Sequence, residues 1–424
     1  MYYPSIQSVR EDLHASQTAI TWTITAYIIA MAVFPLIWSN CADQIGRKPV
    51  YALSMVIYTC GSIGCALSNN LSALIASRVV QSMGASAVQG AGAGTISDIY
   101  PRDQRGTALG IYYLGPLLGP ALGPIVGGYI GQSAGWRWVF WMLSIWGGVM
   151  FLLATFVLPE THRRLVSKKH RIQQINIPPP LSLKENNPLA DIALVRYPVV
   201  ALCMFAFAVL FGAYFGNATA QPLAYEGLYG LSQGVSGICY LPSGVGCIVG
   251  SVVGGRVTDL LLGRRQRALQ RSLAVAESGQ PMQSVKAPPE ARLEATWIGA
   301  ALFLCALLAG GWIVEHRLPL AGFLVVQFFI GMGMAFSFQC LGGYLIDVFP
   351  TKSARITGVQ NFWRSAWAAV IVQLFPTMID RIGWGWSYTV MFFLTLASFS
   401  LLQIVVFRGG ALRQRYGPAE IDMA

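Results

Sequence analysis

The chain has 424 residues, of which 54 % are hydrophobic and 11 % charged; a soluble domain carries roughly 25 % charged residues, so polar surface is too scarce here to coat a water-soluble globule. That balance excludes a disordered chain, and the 45 glycines follow no Gly-X-Y period, which excludes collagen. The net charge of +11 comes from 29 Lys and Arg against 18 Asp and Glu, and it sits in the connections between apolar segments, where it reports membrane topology rather than nucleic-acid binding.

Residues 1–19 are polar and hold no apolar core ahead of a cleavage site, so they do not read as a signal peptide. Eleven apolar stretches follow, near 20–38, 49–67, 71–100, 106–131, 136–158, 196–219, 232–255, 296–314, 319–349, 354–376 and 386–407. Crossing a hydrocarbon core of ~30 Å takes ~20 residues of helix. The runs are continuous rather than alternating, and lipid demands internal backbone pairing, so helices are predicted. The fold class expected is an all-α polytopic membrane protein of two pseudo-repeated helical bundles. Residues 1–158 form the first, 159–195 a basic cytoplasmic linker, and 196–424 the second. None of the eight cysteines forms a CxxC pair, so buried free thiols are expected, with no metal and no other cofactor.

Twenty-three of the 29 basic residues fall in 39–48, 101–105, 159–196, 256–295, 350–355 and the tail after 407. Positive charge favours the cytoplasm, so these segments and the C-terminus are expected inside and the N-terminus outside. Arg78 and Arg364 fall within spans.

The halves resemble each other. Ser97-Asp98-Ile99-Tyr100-Pro101 closes one span and Ile346-Asp347-Val348-Phe349-Pro350 closes another. Asp43 to Lys48 fills one short loop, and Asp259 with Arg264 and Arg265 opens the matching loop of the second half. Parallel repeats of this kind build one large transporter class. Two spans precede Asp259 but one precedes Asp43. A six-plus-six plan therefore expects one more helix ahead of Met1, absent through a late-starting gene model; the other reading is a true eleven-helix protein.

Four motifs stand on this frame. The first is Ser39-Asn40-Cys41-Ala42-Asp43-Gln44-Ile45-Gly46-Arg47-Lys48, and the second is Arg78-Val79-Val80-Gln81-Ser82-Met83-Gly84, where Gln81 lies one turn beyond Arg78 on the same face. The third runs from Gly115 to Gly128. Gly115, Gly119, Gly123 and Gly127 recur every four residues as a flat stripe that permits close helix contact, and Gly128 follows. Pro116, Pro120 and Pro124 keep the same period and weaken the backbone ladder. The fourth is Leu158-Pro159-Glu160-Thr161.

These motifs resemble the major facilitator superfamily, and within it the fungal members of the twelve-helix drug:proton antiporter branch. The resemblance covers the chain apart from the first helix. The first motif is similar to the family's G-x-L-A-D-R-x-G-R-K, with departures that include Ser39, Cys41 and Gln44. The resemblance implies a gating loop built on Asp43, Gly46, Arg47 and Lys48, repeated at Asp259, Arg264 and Arg265; the alternative is that Arg47 and Lys48 only set topology. The second motif is like R-x-x-Q-G with its Gly displaced. It implies a coupling role for Arg78 and Gln81, and the alternative is that Arg78 snorkels to the outer interface. Asp98 sits at a span end where it suits holding the repeated loop, and it joins the coupling candidates because it can titrate when desolvated. The Gly-Pro segment resembles the antiporter motif of exporters, against a plain packing seam. The fourth motif is a family marker that says little of mechanism.

Polar and aromatic residues inside spans outline a substrate cavity: Tyr27, Gln89, Asn217, Tyr240, Gln339, Asn361 and Arg364. Each taken alone suits a helix–helix hydrogen bond better than a ligand contact. No Asp or Glu is expected in mid-membrane. The expected function is proton-coupled efflux of drugs, toxins or secondary metabolites by alternating access. Alternatives are transport of a defined metabolite such as an organic acid or polyamine, and a non-transporting sensor or inactive truncated product. The four His lie in or near loops and no catalytic cluster is seen, so an enzyme is not expected. The expected partners are a small-molecule substrate, protons and the lipid bilayer, with no nucleic acid; a monomer in the plasma membrane is expected.

Overall fold

The computed structural model describes residues 1–99, 105–161, 193–276, 290–348 and 353–416. Every regular element among them is helical. In chain order they are α1 (Ile6–Asp12), α2 (Gln17–Ile45), α3 (Arg47–Ala66), α4 (Leu71–Ala85), α5 (Ala87–Ile99), α6 (Arg105–Ala134), α7 (Trp136–Phe156), α8 (Pro198–Pro222), α9 (Gln233–Ile238), α10 (Leu241–Ala276), α11 (Ala291–Glu315), α12 (Leu320–Val348) and α13 (Ser353–Tyr416). A 3-10 turn at Tyr3–Ser5 precedes α1, and a π-helical turn, Leu223–Leu228, follows α8.

Local chemistry sets the helix ends. The Ser16 hydroxyl accepts from the Ala19 N–H at 3.2 Å and starts α2; Asn70 Oδ1 accepts from the Ala73 N–H at 2.8 Å and starts α4. Gly46, with φ +102°, is the single residue separating α2 from α3. Gly383, with φ +80°, breaks α13 and splits it into the two expected spans 354–376 and 386–407. The expected span 71–100 is two abutting helices, α4 and α5.

Two sequence expectations are corrected. The 39–48 segment is not a loop: Asp43 and Gln44 continue α2, while Arg47 and Lys48 already belong to α3. Nor does a loop begin at Arg256: α10 runs on to Ala276, so Asp259, Arg264 and Arg265 are helical. Charge disqualifies a segment from hydrocarbon, but Arg, Gln, Leu and Ala are strong helix formers and nothing in that stretch stops the helix. Most of the linker, residues 162–192, lies outside the described residues, as do Tyr100 and residues 101–104.

The chain forms two compact units. The first holds Met1–Ala193, Phe215–Tyr240 and Gly358–Arg381; the second holds Leu194–Tyr214, Leu241–Thr357 and Ile382–Ala424. In the first, α3 packs on α4 and α7, α2 on α4 and α5, and α6 on α9. A Cβ at Gly61 would overlap the Gln81 backbone, and one at Gly84 the Tyr58 backbone, so α3 and α4 meet main chain to main chain. Trp38 Nε1 donates to the Met83 carbonyl at 2.7 Å inside a cluster with Ala42, Val50, Ala87 and Ala91. In the second unit, Gly246, Gly250 and Gly254 form a period-four stripe that seats α10 against the α12 backbone at Phe328, Met332 and Phe336. Large apolar side chains such as Trp146, Phe156, Phe393 and Phe407 point outward, as they must when the solvent is hydrocarbon.

Candidate functional site

The first motif folds into a compact ion-pair latch. Gly46 turns the chain so that the Arg47 side chain, 8 % exposed, lies over α5. Arg47 Nη2 meets Asp43 Oδ1 at 2.9 Å, and Arg47 Nε meets Asp98 Oδ2 at 3.2 Å. Gly94 makes the room: a Cβ there would stand 2.7 Å from Arg47 Nη2. Glu160, just past α7, accepts from the backbone N–H groups of Arg47 (3.0 Å) and Lys48 (3.2 Å). It thereby caps α3 and places negative charge where the helix dipole is positive. Tyr51 and Thr95 hydroxyls, 2.8 Å apart, close the contact between α3 and α5.

Asp98 is therefore a partner of Arg47, not of Arg78 and Gln81, with which the sequence reading grouped it. Glu160 is the functional residue that reading passed over as a family marker. Its signal was an acid following a helix-ending Pro159, and its partners could not be read because they lie in a different part of the chain. Glu160→Ala is expected to cost about 1 kcal/mol and Glu160→Gln less, since the amide oxygen still accepts; thermal unfolding of the purified protein checks this, and an unchanged midpoint in the alanine variant sinks it.

The second half repeats the latch with different residues. Arg292, in the first turn of α11, meets Asp347 Oδ2 at 2.5 Å near the end of α12. A Cβ at Gly343 would stand 3.0 Å from Arg292 Nη1, matching Gly94 below Arg47, and each glycine precedes its aspartate by four residues. The expected Asp259, Arg264 and Arg265 do not form this contact. Arg265 pairs instead with Glu294, in the first turn of α11, at 2.5 Å.

The second motif forms a separate buried cluster. Arg78 is 7 % exposed, so it does not snorkel to an interface. Its Nη1 donates to Gln81 Oε1 at 2.7 Å and its Nε to the Thr23 carbonyl at 3.4 Å. Gln81 Nε2 then donates to the Ser62 hydroxyl at 2.9 Å. Aromatic rings cover the guanidinium, with centroids at 4.2 Å (Tyr27), 4.7 Å (Tyr2) and 5.9 Å (Phe140).

The Gly-Pro helix divides in two. Cβ atoms at Gly127 and Gly128 would overlap the main chain of Met1 and of Gln233, and Gly237 on α9 presses on the Pro124 carbonyl in return. A Cβ at Gly123 would stand 3.1 Å from Met1 N, and Gly131 extends the stripe by one more step against Gln233 and Ser5. Gly115 and Gly119 have nothing within 4 Å, and the side chains of Pro116 and Pro120 lie outside the described residues. Nearby, Arg137 Nη1 and Trp136 Nε1 donate to Asp12 Oδ2 at 2.6 and 3.1 Å. The Arg137 bond first, then the Trp136 bond, holds the Asp12 carboxyl below its usual range. The stabilisation is present above the unfolded carboxylate value of ~4 and is lost as pH falls through the lowered one. Both side chains are more than a third exposed, so the pair is worth under ~1 kcal/mol.

Of the seven expected cavity residues, six lie in the first unit and one in the second. Gln339 belongs to the second unit, where it donates to the Ser251 hydroxyl at 2.6 Å. In the first unit Tyr27 covers Arg78, and Asn361 donates to Gln89 at 3.2 Å. Tyr240 donates to the Ala218 carbonyl at 3.1 Å and packs against Tyr3 and Tyr225. Asn217 is fully buried and Arg364 is half-buried. Helical periodicity shows which residues lie within a span but not which way each span faces, and helix rotation decides that. What the first unit does contain is a groove of about 860 Å3 between α3, α5 and α7, walled by Tyr27, Tyr51, Tyr58, Thr95, Trp146 and Met150 among others. Of the expected cavity residues, Tyr27 alone lines it.

The model of the Major Facilitator Superfamily matches residues 1–276. The MFS-type transporter phiD of Fungal sp. is 28 % identical over 448 residues, covering 99 % of this chain and 67 % of its own length. The efflux pump radE of Floropilus chiversii is 27 % identical over 428 residues, covering 97 % of this chain and 77 % of its own. A solved D-xylose-proton symporter superposes with a TM-score of 0.70 at 15 % identity over 95 % of this chain and 93 % of that one, which shows a shared fold. With its apolar helices and this match, the chain belongs to the Major Facilitator Superfamily as a multi-pass membrane transporter of small molecules and not an enzyme.

Proposed function

We propose that the protein is a proton-coupled exporter of drugs, toxins or secondary metabolites that works by alternating access. One observation carries the reading. Two latches, Arg47–Asp98 and Arg292–Asp347, recur at matching places in the repeat, each tying the first turn of one helix to the end of another. Such ties stabilise a closed end and still break once per cycle, because their carboxylates keep some contact with water. In this reading the two bundles are 1–158 and 196–424, and the basic segments set the latches and the C-terminus on the cytoplasmic face of the plasma membrane. Arg78 and Gln81 are the coupling pair. Export rather than import is supported by the Gly-Pro helix and by the relative named an efflux pump.

The test uses the full chain expressed in yeast cells stripped of their own exporters and loaded with fluorescein. Expressing cells should clear the dye several-fold faster than controls, and a protonophore should remove the difference. Equal clearance with and without the protonophore rejects proton coupling, and equal clearance in expressing and control cells rejects export of this dye class.

A further inference from the structure

The α8 helix ends at Pro222, and the chain continues as the π-helical turn Leu223–Leu228, a rare geometry that recurs at functional sites. The turn lies between the expected spans 196–219 and 232–255 and carries Glu226. The Glu226 side chain is half-buried, and its Oε1 is closed off from water without a hydrogen-bond partner. Ser236, fully buried on α9, turns its hydroxyl towards this carboxyl, but its Oγ is not in hydrogen-bond geometry either. Polar contacts seat α9 around this pair. Gln233 Nε2 donates to the Ser5 hydroxyl at 2.8 Å, the Ser8 hydroxyl of α1 donates to Gln233 Oε1 at 3.4 Å, and the Gly234 N–H donates to Gln132 Oε1 of α6 at 2.8 Å. All of these residues belong to the first unit. Glu11 of α1 brings a second negative charge to Glu226, while Arg10 and Asp12 of the same helix are turned to Gln17 and to Arg137. Tyr240, beyond α9, and its neighbours Tyr3, Tyr225 and Cys239 present phenols and a thiol, which are uncharged at neutral pH. Burial pushes the Glu226 carboxyl up, the Ser236 hydroxyl draws it down and the Glu11 charge pushes it up again, to about 7.

We propose that Glu226 is a proton-binding site that controls the seating of α9 on α1. Protonated, the carboxyl sits beside Glu11 without repulsion and shares its hydrogen with Ser236, so both orphan oxygens are satisfied and α9 stays seated. Ionised, it is repelled by Glu11 and its buried oxygen needs water, so the π-helical turn and α9 lift away from α1. In the lifted form the carboxyl reaches water and returns to its ordinary value of ~4.3. The seated form is therefore fully favoured below that ordinary value and loses its advantage as pH rises through about 7. On the topology set by the basic segments this site faces outside, where it senses external acidity. The inference goes beyond the export reading: the site is separate from the latches and from Arg78 and Gln81, and its test needs neither a gradient nor a substrate.

The test is hydrogen–deuterium exchange of the purified full chain in detergent, followed on the peptide that holds Val235 to Tyr240. Rates at about pH 5.5 and about pH 8 are corrected for the intrinsic effect of pH on amide exchange. Opening of α9 is expected to be about tenfold more frequent at the higher pH. Glu226→Gln, which keeps the shape of the protonated acid, should show the low-pH protection at both values. Glu11→Gln, a change at an exposed position, should move the transition to lower pH, and Ser236→Ala should move it to higher pH. Equal protection at the two pH values in the unaltered protein overturns the proposal, as does a pH response that survives in folded Glu226→Gln. Should Glu226→Gln fail to fold, Glu11→Gln decides: a transition that stays where the unaltered protein has it rejects the site. A chain that shows this pH response and yet clears no dye in cells separates the inference from the export reading.

Discussion

Gly128→Val and Gly237→Val are expected to destabilise the protein and abolish transport, while Gly115→Ala and Gly119→Ala are neutral or stabilising. Gly115, Gly119 and Gly128 lie on one helix, in a segment that reads in sequence as a single packing pattern, and Gly237 lies on α9. Only the tertiary contacts separate them. Gly128 stands where a Cβ would be 2.6 Å from the Gln233 carbonyl oxygen, and a Cβ at Gly237 would overlap that of Pro124. Both obstacles are main chain, which cannot swing aside as a long side chain can. The helices must separate, and forced overpacking costs about 1–3 kcal/mol per site. At Gly115 and Gly119 there is open space, and replacing glycine by alanine inside a helix gains up to ~1 kcal/mol. Thermal unfolding of the four variants gives the answer. If all four behave alike, the α6–α9 contact is not the purpose of the stripe.

Arg47→Ala is expected to cost far more than Arg292→Ala, although the two arginines hold matching places. The Arg47 and Asp98 side chains are 8 % and 17 % exposed, and Arg47 also neutralises Asp43. Its removal strands two carboxylates around one vacated position, a change worth about 3 kcal/mol when a mostly buried pair is broken. Arg292 and Asp347 are 25 % and 39 % exposed, so water takes over much of the lost interaction and the cost is under ~1 kcal/mol. The comparison is made by denaturant or thermal unfolding together with dye clearance. Adding Asp98→Asn to Arg47→Ala should recover part of the loss, and with the Asp98→Asn single variant the cycle gives the coupling energy. Equal costs at the two arginines would mean that exposure does not govern these latches.

The reach of the sequence can be judged residue by residue. Arg47 and Asp43 were recognisable because their motif is short and local, and their i,i+4 pairing follows from helix geometry alone. Arg78 and Gln81 were legible for the same reason, being one turn apart. Glu160 and Arg292 were not, since each meets a partner more than fifty residues away, and no local pattern encodes that meeting. The repeat is visible in Asp98 and Asp347, yet the arginine facing Asp347 comes from α11 and not from the Asp259 segment of α10 that matches Asp43 to Lys48 in sequence. The α10 helix hides its own length by turning from apolar to basic midway.

The sequence by itself determined that this chain is a helical membrane protein with paired halves. Composition and run length answer to one solvent, hydrocarbon, which leaves few choices for a backbone that must satisfy its own hydrogen bonds. Only the tertiary structure decided which charges are neutralised, which glycines are in contact and which aromatics line the groove. Those outcomes depend on how each helix is rotated about its axis and on which distant helix it meets. Arg78 shows the difference: the sequence places a cation inside a span, and only the tertiary structure packs Tyr2, Tyr27 and Phe140 around it.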